Sequence, residues 1–140
     1  MRPEYQEIID LQDLIKKLNS IKNSIVVVEG KRDEHALRKI GYSGKIFQFH
    51  SFKGLIKFVD KMPTNRKLVL LLDSDRKGRY LTKRIISILQ HRMNVDLTFR
   101  RKITLITKGK IKNIEDLSHY VENDDWITNK HLYLPAKNLD

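Results

Sequence analysis

An α/β architecture is predicted: a parallel sheet of about four strands flanked by helices, with one helix added at the N-terminus. Three observations carry that expectation. Residues 25–28 (IVVV) and 68–72 (LVLLL) are unbroken apolar runs, the composition of strands covered on both faces. Segments with apolar residues at helical spacing stand between and after them, so strand and helix alternate as in right-handed βαβ crossovers. Both runs also end in acid and glycine, with Glu29-Gly30 after the first and Asp73-Ser74-Asp75 followed by Gly78 after the second.

Residues 4–18 read as an amphipathic helix, with Ile8, Leu11, Ile15 and Leu18 on one face and Leu14 beside them. It is expected to pack on the outside of the domain, and residues 19–24 break its pattern. The strand at 25–28 stops at Gly30, and Asp33 or a neighbour is placed to cap a short helix carrying Ala36, Leu37 and Ile40 on one face. Gly41 closes that helix as a C-terminal glycine. Residues 45–49 (KIFQF) form the second strand, and Leu55, Ile56 and Val59 mark a helix that ends before Pro63. After the third strand at 68–72, residues 76–92 make a helix with Leu81, Ile85 and Ile88 on one face and Arg76, Arg79 and Lys83 opposite. Residues 95–99 (VDLTF) read as a fourth strand. Phe99, Ile103 and Ile106 then fall at helical spacing, although RRKITLIT also suits a continuing strand. Ile114, Leu117 and Val121 suggest a last short helix. The expected organisation is an N-terminal helix packed on the domain (1–23), an α/β domain (24–122) and a C-terminal tail (123–140) anchored by Trp126 and residues 132–134.

Composition narrows the class. At 140 residues and 40% hydrophobic content, the chain has the size of one domain with a real core. It has no cysteine, which excludes disulfides and cysteine-ligated zinc or iron–sulfur centres. No apolar run approaches the ~18 residues that would cross a bilayer, and the N-terminus lacks the apolar core of a secretion signal. A cytoplasmic protein with no membrane partner is therefore expected. The balance of 28 Lys and Arg against 17 Asp and Glu leaves a net charge of +11, which favours a polyanionic partner because phosphate binding releases condensed counterions.

In a parallel sheet, ligands bind beyond the carboxyl ends of the strands. Glu29, Asp73 and Asp75 all stand at such ends. Carboxylates gathered there repel one another and raise their own pKa values, a penalty that a divalent cation removes. Oxygen-only ligands select a hard ion, and few carboxylates with water and phosphate completing the shell suit Mg2+, with Mn2+ as a substitute. Such an ion neutralises a phosphodiester and lowers the pKa of bound water; Glu29 alternatively serves as general acid or base if its pKa is raised.

The segments IVVVEGKRDEHAL and LVLLLDSDRKGRYLTKRI together resemble a Toprim domain, the catalytic core shared by topoisomerases, bacterial-type primases, certain nucleases and recombination proteins. Glu29 stands at the family's glutamate, Asp73 and Asp75 at its strand-end Asp-x-Asp, and Gly78 at the glycine that often opens the next helix. The first Asp follows Glu29 by 44 positions, and the resemblance covers roughly residues 24–116. It implies a Rossmann-like parallel sheet and Mg2+-dependent phosphodiester chemistry, with Asp73 and Asp75 holding the ion and Glu29 acting as general acid/base or sharing it. In size the chain is similar to small stand-alone Toprim proteins and to the Toprim half of the ribonuclease that matures ribosomal RNA. Lys77 departs from the pattern: many topoisomerases and primases carry a third acid there, so a second metal is not implied. The chain also has no room for a topoisomerase's tyrosine-bearing domain or a primase's zinc domain.

Lys31 and Arg32 follow Glu29, and Arg76, Lys77 and Arg79 follow the Asp pair, where they are candidates for nucleic-acid phosphate contacts. The basic runs at 100–102 and 108–112 are candidates for extending that track. His50 and Ser51 close the second strand at the same edge. His35, His91, His119 and His131 lack metal-ligand spacing, and Tyr42, Phe47, Phe49 and Phe52 suit a core better than a base-stacking platform. Besides an interaction protein whose surface is basic for reasons unrelated to phosphate, two functions are expected to compete. One is a nuclease-type enzyme acting on RNA or DNA. The other is a non-catalytic nucleic-acid-binding Toprim module that works with a protein partner, or as a homodimer, in RNA processing or DNA repair.

Overall fold

The computed structural model describes residues 3–126. Four parallel strands, β1 (Ser24–Val28), β2 (Ile46–Gln48), β3 (Lys67–Leu70) and β4 (Asn94–Asp96), form one sheet in the order β2-β1-β3-β4. Val27 pairs with Phe47 on one side of β1 and Val26 with Val69 on the other, while Leu68 pairs with Val95. β1 is buried along its whole length and β3 from Leu68 onward, as their unbroken apolar runs require. Alternate β1 and β3 residues enter two separate cores. Val26, Val28, Val69 and Leu71 face one; Ile25, Val27, Leu68, Leu70 and Leu72 face the other.

Six α-helices cover these faces among the described residues. α1 (Tyr5–Ser20), α2 (Lys31–Lys39), α5 (Thr98–Ile106) and α6 (Ser118–Val121) supply residues to the first core, whereas α3 (Leu55–Lys61) and α4 (Arg76–Leu89) close the second. The α/β fold with a four-stranded parallel sheet and a leading helix is therefore the observed one. The leading helix packs on the domain through its apolar face, with Ile8 and Leu11 fully buried in the first core and Lys16 and Lys17 exposed. Gly41 ends α2 at φ +106°, a conformation that glycine adopts without steric cost.

Several local expectations shift. Phe99 leaves the fourth strand and joins Ile103 in α5, so helical spacing prevails over the continuing-strand alternative. On α4, Leu89 rather than Ile88 completes the inner face with Ile85; Ile88 is exposed. Ile56 is likewise exposed on α3, where Phe58 and Val59 point inward. Trp126 is buried against the first core, and its carbonyl accepts a 2.9 Å hydrogen bond from Gln12 Nε2. Residues 132–134, the other expected anchor, lie outside the described residues. Among those described, no helix is long and apolar enough to cross a membrane.

Candidate functional site

The chain leaves β1 toward β2 on one side, and β3 continues to β4 on the other. The crevice of such a sheet opens where the order reverses, between β1 and β3. Glu29 follows the last residue of β1, and Asp73 and Asp75 follow β3, so the three sequence-derived acids meet at that crevice.

Glu29 is only 6% exposed. Its Oε2 accepts the Asp73 N–H at 2.9 Å, which ties the two strand ends together. Burial pushes its pKa above the ordinary carboxyl value; the Asp73 N–H opposes that rise, and the negative charges of Asp73, Asp75 and Asp33 add to it. Asp33, in the first turn of α2, is buried to a similar degree and is also raised, first by burial and then by Asp73 and Glu115, while the Gly30 N–H it accepts at 3.0 Å works the other way. Asp33 thus caps α2 as expected, and it also belongs to the acidic cluster, a role that its position in the helix pattern had not suggested.

Asp73 Oδ1 accepts the Ile114 N–H at 2.8 Å, fixing the loop that precedes the 3-10 turn Ile114–Leu117. Asp75 is the N-cap of α4, with Oδ1 accepting the Gly78 N–H at 2.7 Å. Gly78 is required by contact: a Cβ there would stand 2.0 Å from the Asp73 carbonyl oxygen. Each of the three acids engages one oxygen with a backbone N–H and leaves the other without a protein hydrogen-bond donor among the described residues. No group of three or more His, Asp or Glu among the described residues converges to hold a metal ion.

Arg100 reaches the same loop from α5. Its guanidinium donates to the carbonyls of Leu72, Ile111 and Lys112 and to the hydroxyls of Ser74 and Thr104. Burial lowers its pKa, and the nearby Asp73 opposes that shift. The basic run at 100–102 therefore contributes a strut beneath the Asp-x-Asp loop as well as surface charge. In the second basic run, Lys108 pairs with Glu4 at 2.8 Å and Lys110 with the buried Glu7 at 2.6 Å. Tyr120 donates its hydroxyl to Glu7 at 2.9 Å, so this part of the run joins α1 to the C-terminal segment.

The other candidates spread around the crevice. Lys31 and Arg32 line a groove of about 670 Å³ beside α2, together with His35, Arg38 and Gln48. Arg76 and Lys77 are exposed on the first turn of α4, while Arg79 lines a second cavity, between α4 and α5. His50 donates its backbone N–H to the Glu29 carbonyl at 2.9 Å, and its ring lies against Gly30. Ser51 bonds back to the Gln48 carbonyl at 2.7 Å and serves the turn.

Several named proteins are similar to this chain over most of its length. A UPF0292 protein of Thermococcus sibiricus is 38% identical over 108 residues, covering 76% of this chain and 84% of its own. This chain belongs to the UPF0292 family. A member from Methanocaldococcus jannaschii is 35% identical over 124 residues, covering 86% of this chain and 94% of its own. Among solved structures, a putative protein from Aquifex aeolicus superposes with a TM-score of 0.63 at 28% identity, covering 76% of this chain and 96% of that one. No family model matches the sequence.

Proposed function

We propose that this UPF0292 protein is a Toprim-type enzyme that carries out Mg2+-dependent phosphodiester chemistry on nucleic acid through Glu29, Asp73 and Asp75. The observation that carries the proposal is the gathering of these acids at the crevice, where burial and mutual repulsion raise the pKa of Glu29. A cation relieves that repulsion, and the donor set is all oxygen, as Mg2+ prefers. Asp73 and Asp75 each commit one oxygen to a backbone N–H, and the other oxygen of each would hold the ion, with water and substrate phosphate completing its shell. When bound, the ion supplies charge neutralisation at the phosphodiester.

The chain's own residues account for the rest. Glu29, whose pKa burial raises, is placed to take a proton from the attacking group or return one to the leaving oxygen. Its bond to the Asp73 N–H fixes its orientation. Arg100 and the Ile114 N–H hold the Asp-x-Asp loop in place. Lys31, Arg32, Arg76, Lys77 and Arg79 attract and position the phosphate backbone.

The test is turnover of labelled RNA and DNA in Mg2+, Mn2+ or EDTA, with Asp73→Asn and Glu29→Gln alongside. Metal-dependent cleavage abolished by both substitutions is the expected result. Binding that survives EDTA and tightens in Asp73→Asn, with no turnover on any substrate, would replace the enzyme with a binding module.

A further inference from the structure

The cavity between α4 and α5 has a volume of about 420 Å³ and opens beside Asp73, which forms part of its wall. Its floor is apolar, made by Leu70, Leu72, Ile86 and Leu97. Its rim is cationic: Arg79 and Lys83 come from α4, Arg101 from α5. All three are exposed, and none lies within salt-bridge distance of a carboxylate among the described residues. Beneath them the Arg100 guanidinium is held by five neutral acceptors and likewise has no carboxylate at ion-pair distance, so its positive charge also bears on the cavity.

We propose that this cleft receives one unpaired nucleotide of a nucleic-acid strand, with its base on the apolar floor and its phosphate at Arg79, Lys83 and Arg101. The inference rests on the nucleic-acid reading above and assigns it a substrate class: single strands or frayed ends rather than closed duplex. A rim of lysine and arginine alone attracts any phosphate backbone without regard to strandedness. The floor makes the distinction. Bases in a duplex are stacked and paired, and their apolar faces reach such a surface only after unstacking, at a cost of a few kcal/mol. An unpaired base meets no such cost and gains by leaving water. Because Asp73 lines the same cavity, a nucleotide lodged there places its adjoining phosphodiester at the acidic crevice.

The experiment is equilibrium binding in EDTA, which separates recognition from catalysis. The probes are a fluorescein-labelled mixed-sequence 12-mer, as RNA and as DNA, and the corresponding blunt duplexes. The strand is expected to bind at least tenfold more tightly than the duplex. Lys83→Ala with Arg101→Ala should weaken strand binding at least tenfold and flatten its salt dependence, whereas Lys22→Ala, in the turn before β1 at the amino end of the strands, should change it less than twofold. Thr82→Phe, which fills the cleft without removing charge, should abolish the strand preference while leaving duplex affinity within twofold; a melting curve checks its folding, and the charge variants provide an independent test if it does not fold. Equal affinity for strand and duplex, or a strand preference unmoved by both the charge variants and Thr82→Phe, overturns the inference. Loss of the cleft inference leaves metal-dependent turnover at Glu29 and Asp73 intact; loss of turnover with strand preference retained has the opposite meaning.

Discussion

The ends of β1 and β3 are written alike in the sequence, as an apolar run, an acid and a glycine, yet they are built differently. At β1 the acid is the buried one. Glu29 accepts a single backbone N–H across the crevice, and its glycine is merely convenient: a Cβ on Gly30 would approach the movable His50 ring at 3.3 Å. At β3 the acids are braced by their surroundings, with Asp73 holding Ile114, Asp75 capping α4 and Arg100 fastening the loop from below. Its glycine is indispensable because the contact it avoids is with backbone. One strand end thus carries a buried carboxyl whose pKa is raised and the other a braced loop, the two features that the proposed reaction would use as its base and its ion holder.

The sharpest way to break this contrast is Gly78→Ala. The added methyl meets the Asp73 carbonyl at 2.0 Å, and a clash with backbone should cost about 3 kcal/mol or more of folding stability in urea titration. Arg100→Ala removes a charged donor from five acceptors and should cost ~2–3 kcal/mol, with the 110–114 loop losing amide protection in hydrogen exchange. A cost near zero for either variant would mean that the β3 platform is not rigid.

Mg2+ sharpens the comparison from the side of charge. At ten times its dissociation constant it should stabilise the wild type by about 1.4 kcal/mol, and Asp73→Asn should remove most of that gain. Acidification tests the β1 side. The folded pKa values of Glu29 and Asp33 lie above their unfolded values of 4.5 and 3.8, so within that window the folded state binds more protons and stability falls as pH rises. The penalty is full above the folded pKa and disappears below the unfolded one. Lowering the pH from neutrality toward 4.5 should therefore stabilise the wild type more than Glu29→Gln, the difference being read from paired melts. The smallest effect belongs to Gly30→Ala, where the His50 ring can yield and the cost should stay below about 1 kcal/mol; a loss as large as that of Gly78→Ala would erase the distinction between the two ends.

The sequence by itself determined the class of fold and the position of its acids. Unbroken apolar runs can satisfy their faces only when covered on both sides, and a carboxylate just after such a strand must emerge at the crevice end. These are local facts, which is why Glu29, Asp73 and Asp75 were legible without coordinates. Contacts between distant segments were not. Arg100 and the residues around Lys110 look like part of a phosphate-binding track along the sequence, because nothing local shows that Arg100 turns under the Leu72 carbonyl or that Lys110 meets Glu7. Asp33 resembles an ordinary helix-start acid until the approach of Asp73 and Glu115 is known. The exposure of Ile56 and Ile88 was hidden for the same reason, since helical spacing defines a stripe but packing decides where its edge falls. Tertiary structure also decided how the acids at the crevice are used. Each is held by a different backbone N–H, from Asp73, Gly78 and Ile114, and none of these donors is visible from the acid's own stretch of strand.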